Sequence, residues 1–327
     1  MNIRRRDLLL AAPAVTSAAL MTSTSSALGA PTVSTSKTIG PNEAGIPSVP
    51  PGSARPGPVV FFSKFLPKLG PREMAVALKK IGYAGIDLTV RPGGHIEPGD
   101  VAKTLPPTVE AIRAEGMAVP LVTTELLSAA DPSARPIIAT AGKLGVPLFK
   151  PGYFKYEYVD VRKELKTAGA QLKGLANLAR ESHIQMGFHN HGDCLGGPIW
   201  DAVQVIDGLD PRWVGYYLDT RHVFAEGGQS AWKVATHLVG PRVKAVSVKD
   251  FYWEKTAKGW VITKVPLGQG MVDLVGIFKI LAAHKFAGPI SIHLEYPIAG
   301  GDDAVLAAAA RDRAVLETAL TTVYGTA

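Results

Sequence analysis

The sequence predicts an α/β chain folded as a single (β/α)₈ barrel, and three observations lead there. From Pro58 onward, short apolar runs alternate eight times with longer segments whose apolar residues recur at three-to-four spacing. Eight such units in roughly 265 residues match the ~250 residues typical of this barrel. No glycine-rich dinucleotide turn opens a helix, which sets the doubly wound sheet behind the barrel.

In order, the strand-like runs are Val59–Phe62, Gly85–Val90, Ala118–Thr123, Pro147–Lys150, Gln185–His189, Val214–Leu218, Val243–Val248 and Ile290–Leu294. Helical patterns fall at 71–82, 99–116, 133–144, 160–183, 199–208, 229–239, 271–285 and 302–322, with Leu172, Leu175, Leu178 and Ala179 an instance of the spacing. The chain has 327 residues, of which 46% are hydrophobic, so it can bury a sizeable core and is not globally disordered. The single cysteine, Cys194, excludes an internal disulfide framework and a multi-cysteine zinc site. Of the net charge of +7, Arg4, Arg5, Arg6 and Asp7 supply +2 and the remaining +5 is spread thinly through the body without a Lys/Arg run, so no nucleic-acid partner is expected.

The first 30 residues read as an export signal. Arg4, Arg5 and Arg6 precede an apolar stretch from Leu8 to Ala12, and Ala27-Leu28-Gly29 offers a small-residue cleavage point. Arg5 and Arg6, followed by Asp7 and leucines, are similar to a twin-arginine signal, so a periplasmic or secreted location is expected. The apolar stretch, interrupted by Pro13, Thr16 and Ser17, is too short and mild for a membrane span. Residues 31–57 are rich in Pro, Ser and Thr and read as a linker or extended arm, one that could wrap a neighbouring subunit in a homo-oligomer. The barrel then takes residues 58–327.

A barrel of this kind places its chemistry at the C-terminal ends of the strands. Those ends carry Asp87, Arg91, Glu125, Lys150, Tyr153, His189-Asn190-His191, Asp219-Thr220-Arg221-His222, Ser247, Lys249 and Glu295. Asp219, Glu295 and one or more of His189, His191 and His222 form a mixed carboxylate and imidazole set suited to Mn²⁺, Co²⁺, Zn²⁺ or Mg²⁺. On a continuing strand His189 and His191 share a face, with Asn190 on the other. Lys150 and Lys249 are electrostatic or acid–base groups, or counter-ions of those carboxylates. Asp87 reads equally as a functional carboxylate of the rim or as a structural one holding Arg91. Loop aromatics, Tyr153 and Trp253 among them, suit either stacking on a sugar ring or packing between loops.

Five segments carry a resemblance: Gly85-Ile86-Asp87-Leu88, Gly187-Phe188-His189-Asn190-His191, Leu218-Asp219-Thr220-Arg221-His222, Val248-Lys249-Asp250 and Pro266-Leu267-Gly268-Gln269-Gly270. They resemble the sugar phosphate isomerase/epimerase superfamily of xylose-isomerase-like barrels, from about residue 58 to residue 322. Asp219 and Glu295 match its metal-binding positions and His222 matches a substrate-contacting one. His189 stands where many members carry glutamate, and Ser247 where many carry histidine.

The resemblance implies a divalent metal held by His189, Asp219 and Glu295. It implies a general base among Glu295, His191 and Lys249, with substrate contacts from Arg221, His222, Lys150, Glu125 and Trp253. The implied reaction removes a proton beside a carbonyl of a free sugar, keto-sugar or glycoside and ends in isomerisation, epimerisation or elimination. Two other readings stand beside it: a sugar-binding protein without catalysis, and a glycosidase using Glu125 with Glu295.

Overall fold

The computed structural model describes residues 44–326, so the export signal read at residues 1–30 lies outside the described residues. The strands in chain order are β1 (Val59–Phe62), β2 (Gly85–Thr89), β3 (Ala118–Thr123), β4 (Leu148–Lys150), β5 (Gln185–His189), β6 (Val214–Asp219), β7 (Val243–Val248), β8 (Asp250–Thr256), β9 (Gly259–Val265) and β10 (Ile290–Ile292). Eight of them close a barrel in the order β1-β10-β7-β6-β5-β4-β3-β2, every neighbouring pair parallel. The helices are α1 (Pro71–Lys80), α2 (Val101–Ala114), α3 (Ala134–Lys143), α4 (Val161–Glu181), α5 (Trp200–Ile206), α6 (Thr220–Val239), α7 (Leu274–Ala283) and α8 (Gly301–Tyr324).

Barrel strands are buried on both faces, which is why they read as continuous apolar runs and not as alternating ones. Their outward residues join the helices in one large core. Val60, Leu121, Leu148, Tyr217 and Ala245 form a second, smaller cluster contributed by five barrel strands. Toward the strand ends the pairing turns polar: Thr123 lies beside Lys150, Asp219 beside Ser247, and Ser247 beside Ser291. Residues of the proline-rich segment touch the barrel too. Ile46 and Val49 pack on the core, His237 Nε2 donates to the Gly45 carbonyl at 2.8 Å, and Arg55 pairs with Glu317 at 2.7 Å. Among the described residues no helix is long and apolar enough to cross a membrane.

Two elements differ from the sequence expectation. Residues 250–265, read as an aromatic loop, form the antiparallel hairpin β8–β9. Its turn passes through Gly259 at φ +103°, a conformation that side chains with a Cβ avoid. Helix α6 begins at Thr220, not near residue 229. The Asp219 carboxylate is its N-cap and accepts from the His222 amide at 3.0 Å. A break at Gly228 (φ +75°) divides the helix, so only its second half shows a clear apolar period in the sequence.

Candidate active site

Asp219 ends β6, caps α6 and is fully buried. While Oδ1 serves the cap, Oδ2 receives Lys249 Nζ at 2.7 Å, His189 Nε2 at 2.9 Å and Ser247 Oγ at 3.0 Å. Burial alone would raise this carboxyl, but the Lys249 ammonium, helped by His222 and His189, holds it well below the usual carboxylate range. Asn190 brackets the same residue's backbone: its Oδ1 accepts from Asp219 N at 2.6 Å and its Nδ2 donates to Asp219 O at 3.3 Å.

Lys249 follows β7 directly, and its backbone is fixed by the Thr220 hydroxyl. That hydroxyl accepts from Lys249 N and donates to Lys249 O, each at 3.0 Å. The ammonium thus lies 2.7 Å from Asp219 and 3.7 Å from Glu295 Oε1. Glu295 also has Lys64 at 3.7 Å and Lys264, from β9, at 3.8 Å. Its burial favours the neutral acid, yet Lys249, Lys64, Arg221 and Lys264 together lower its pKa, so it stands as a carboxylate. Glu295 lines a cavity of about 670 Å³ between the hairpin and the segment after β10, together with Lys64, Phe65, Lys264 and Tyr296.

The three residues 189–191 divide the work because β5 ends at His189. Burial drives the His189 imidazole down to about 3, so it is neutral. With Nε2 donating to Asp219, its Nδ1 carries the lone pair, and that atom is buried without a partner. His191 instead packs its ring on Tyr153 (centroids 4.4 Å apart) and on His222 (4.1 Å). A carbonyl can only accept, so His191 Nδ1 donates to Gly192 O at 2.9 Å and Nε2 keeps its lone pair. Burial lowers the His191 pKa as well and keeps that lone pair available at neutral pH. Arg221, 4% exposed, sets Nη2 2.5 Å from His222 Nε2, while its Nε and Nη1 are buried without partners. Leaving such donors unpaired costs on the order of 1–3 kcal/mol each, a cost that an oxygen-rich ligand would remove.

Lys150 ends β4 with Nζ 3.5 Å from the centre of the Tyr153 ring. Burial first, and then repulsion from Arg91, bring it down to about 7. Above that value the folded state releases the proton while the unfolded chain holds it up to about 10.4. The burial penalty is therefore complete below pH 7 and fades as pH rises between the two values. Lys150→Met should gain stability relative to wild type, by a few kcal/mol at pH 6 and much less at pH 9. Urea unfolding at the two pH values checks this, and an unchanged difference would contradict it.

Not every expected residue joins this group. Glu125 is exposed and pairs with Arg91 at 3.3 Å. Trp253 lies on β8, half-exposed and edge-on to Phe251, and among the described residues no hydrogen bond or ring contact links it to Asp219 or Lys249. Arg91 is thus held by Glu125 and not by Asp87. Asp87 instead accepts from Thr123 (2.7 Å), Tyr217 (2.9 Å) and Ser291 (3.0 Å), with burial raising it to about 6. Tyr217 OH is also 3.1 Å from Nε2 of His293, whose ring stacks on Phe62 and lies 6.0 Å from that of His189. His293 and Tyr217 are additions that the reading of strand ends does not reach. A signal for His293 exists, since Ser291, His293 and Glu295 are polar at every second position of the last strand and the segment beyond it.

Asp219 and Glu295 do converge, but on an ammonium, and His189 joins them only through Asp219 Oδ2. Oδ2 of Asp219 already accepts three donors, and Glu295 is flanked by three lysines. A divalent ion 4 Å from Lys249 Nζ would be repelled by about 8 kcal/mol at an effective dielectric of 20, twice the figure for two unit charges. Among the described residues no group of three or more His, Cys, Asp or Glu side chains is arranged to hold a metal. As arranged, these residues do not fit a divalent ion.

The chain is 28% identical to an inosose dehydratase of Bacillus velezensis over 148 residues, which are 41% of this chain and 48% of that protein. It therefore spans about half the length of the curated relatives it matches. In fold it is similar to the IOLI protein solved with a zinc atom, with a TM-score of 0.67 at 14% identity, covering 83% of this chain and all of that one. It is likewise similar to a 3-keto-D-glucoside 4-epimerase from E. coli, with a TM-score of 0.61 at 14% identity, covering 79% and 99% of the two chains. At such identities the solved structures speak for the fold alone. Residues 75–318 match the family described as the xylose isomerase-like TIM barrel, and with most of its length inside that match the chain belongs to this family.

Proposed function

We propose that this protein is a sugar isomerase/epimerase-type enzyme that removes a proton from the carbon beside a carbonyl of a non-phosphorylated sugar, keto-sugar or glycoside. The observation that carries the reading is one rim holding both halves of that chemistry. His191 offers a neutral Nε2 lone pair, while the Lys249 ammonium and the unpaired Arg221 nitrogens offer positive hydrogen-bond donors. An ammonium has three donors, and Asp219 takes one. A substrate carbonyl accepts from another. His191 Nε2 takes the α-proton, the C–H electron pair becomes the C=C bond of an enolate, and the charge moves to the oxygen facing Lys249. Arg221 Nε and Nη1 and the lone pair of His189 Nδ1 hold neighbouring hydroxyls.

The fate of the enolate sets the product. Return of the proton to the other face gives an epimer, and loss of a β-hydroxyl as water gives an unsaturated ketone. The similarity to inosose dehydratases supports a carbonyl-bearing polyol as substrate, with elimination the outcome it favours. The reading of residues 1–30 as an export signal supports a periplasmic or secreted site of action, where phosphorylated sugars of central metabolism are scarce.

Product analysis by NMR on a panel of keto-sugars and inososes tests the reading. Glu295→Gln removes the charge that balances three lysines and should reduce turnover by at least about 10²-fold with the fold retained. Wild-type rates in that variant would remove Glu295 from the machinery.

A further inference from the structure

We propose that Lys249 is a built-in substitute for a divalent ion, so that the Asp219–Glu295 pair works without metal. The inference rests on the reading of this rim as the site of an enolising sugar enzyme.

Position is the first ground. The ammonium is nearly buried, 2.7 Å from one carboxylate and 3.7 Å from the other, where an ion shared by Asp219 and Glu295 would have to sit. The second ground is fixation. Thr220 grips the lysine backbone on both its N–H and C=O, so the cation is presented by a rigid strand end and not by a wandering loop. The third is the residue two places earlier. Ser247 lies on β7 beside Asp219 and donates its hydroxyl to the same Oδ2 at 3.0 Å, so the oxygen that faces the ammonium is also held by a neutral protein donor. The acceptor capacity of Asp219 is thus spent on protein donors.

Charge points the same way. Lys64 and Lys264 also face Glu295, and Arg221 lies near enough to lower its pKa, so this end of the barrel already carries more positive than negative charge. Function remains covered, because two N–H donors of Lys249 are left once Asp219 has taken one. Two donors on one cation can hold adjacent oxygens of a keto-sugar, as a metal would by bidentate coordination.

The test uses the full chain, stripped with EDTA and titrated with Co²⁺ while its visible absorbance and equilibrium dialysis are followed. The expected result is no saturable uptake by wild type up to about 1 mM. Lys249→Ala, with both carboxylates released, is expected to take up about one equivalent with the absorbance of a coordinated ion. If the alanine variant fails to fold, Lys249→Met keeps the packing of the side-chain stem and serves instead. Stoichiometric uptake by wild type that is lost in Asp219→Asn would overturn the inference. Solvent proton exchange on substrate is scored separately. A wild type that takes no metal and exchanges no proton fails the functional reading but keeps the cation assignment. One that exchanges protons only when loaded with metal fails the assignment and keeps the function.

Discussion

Lys249→Met is expected to lower kcat/KM by about 10²–10³-fold, the size of effect seen when a single donor facing a developing oxyanion is removed. The stem of the lysine is retained, so packing is little disturbed, and the loss reads the missing charge. The variant should also be less stable by on the order of 3–5 kcal/mol, because Asp219 is fully buried and would lose its ammonium partner. His189, Ser247 and the His222 amide still hydrogen-bond the carboxylate, which lets the chain fold while the carboxyl shifts toward its protonated form. Lys249→Arg restores a charge but not the compact ammonium, so it should recover stability more than activity. Steady-state kinetics and urea unfolding on the two variants check both halves. A methionine variant with wild-type kcat/KM would contradict the role given to Lys249.

His191→Gln is expected to lower kcat by about 10²–10⁴-fold, the usual contribution of a positioned general base. Burial lowers the pKa of this imidazole below its ordinary value, so the acidic limb of the wild-type kcat/KM profile should fall below about pH 6.5. The limb should vanish in the variant. Lys150 is the competing base, since burial and Arg91 bring it to about 7 and it shares the Tyr153 ring with His191. A limb near pH 7 that survives His191→Gln would transfer the role to Lys150. The profile therefore separates two bases that the geometry leaves side by side.

The barrel was legible because strands covered on both faces must be apolar throughout, and the helices around them must carry one apolar stripe. The double role of Asp219 was not legible, since the strand-like run ends at Leu218 and the helical pattern starts at residue 229, whereas Asp219 is at once the last strand residue and the helix cap. The hairpin β8–β9 was hidden because its exposed faces carry Tyr252, Trp253 and Trp260, so the aromatic content suggested a loop. Val261 to Val265, traced back to Gly259, held the strand signal.

The site was partly legible: the strand-end rule brought out Asp219, His189, Lys249 and Glu295 as a group. Their internal wiring was not, because the placement of an ammonium between two carboxylates depends on the register of β6 against β7 and on the grip of Thr220. Tyr217 escaped because an aromatic inside a strand gives no sign of whether it faces the helices or the barrel interior. Glu125 and Trp253 stood at the rim by sequence, but their side chains lie among solvent-facing groups.

The measurement that bears most directly on the proposed chemistry is proton exchange in D₂O, monitored by ¹H NMR on a panel of keto-sugars and inososes with the EDTA-treated wild-type protein. Loss of a single C–H signal beside the carbonyl of one substrate, absent in His191→Gln and Lys249→Met, is the predicted result. Saturable binding of that substrate with every α-proton retained would contradict it, and the rim would then be a sugar-binding site without catalysis.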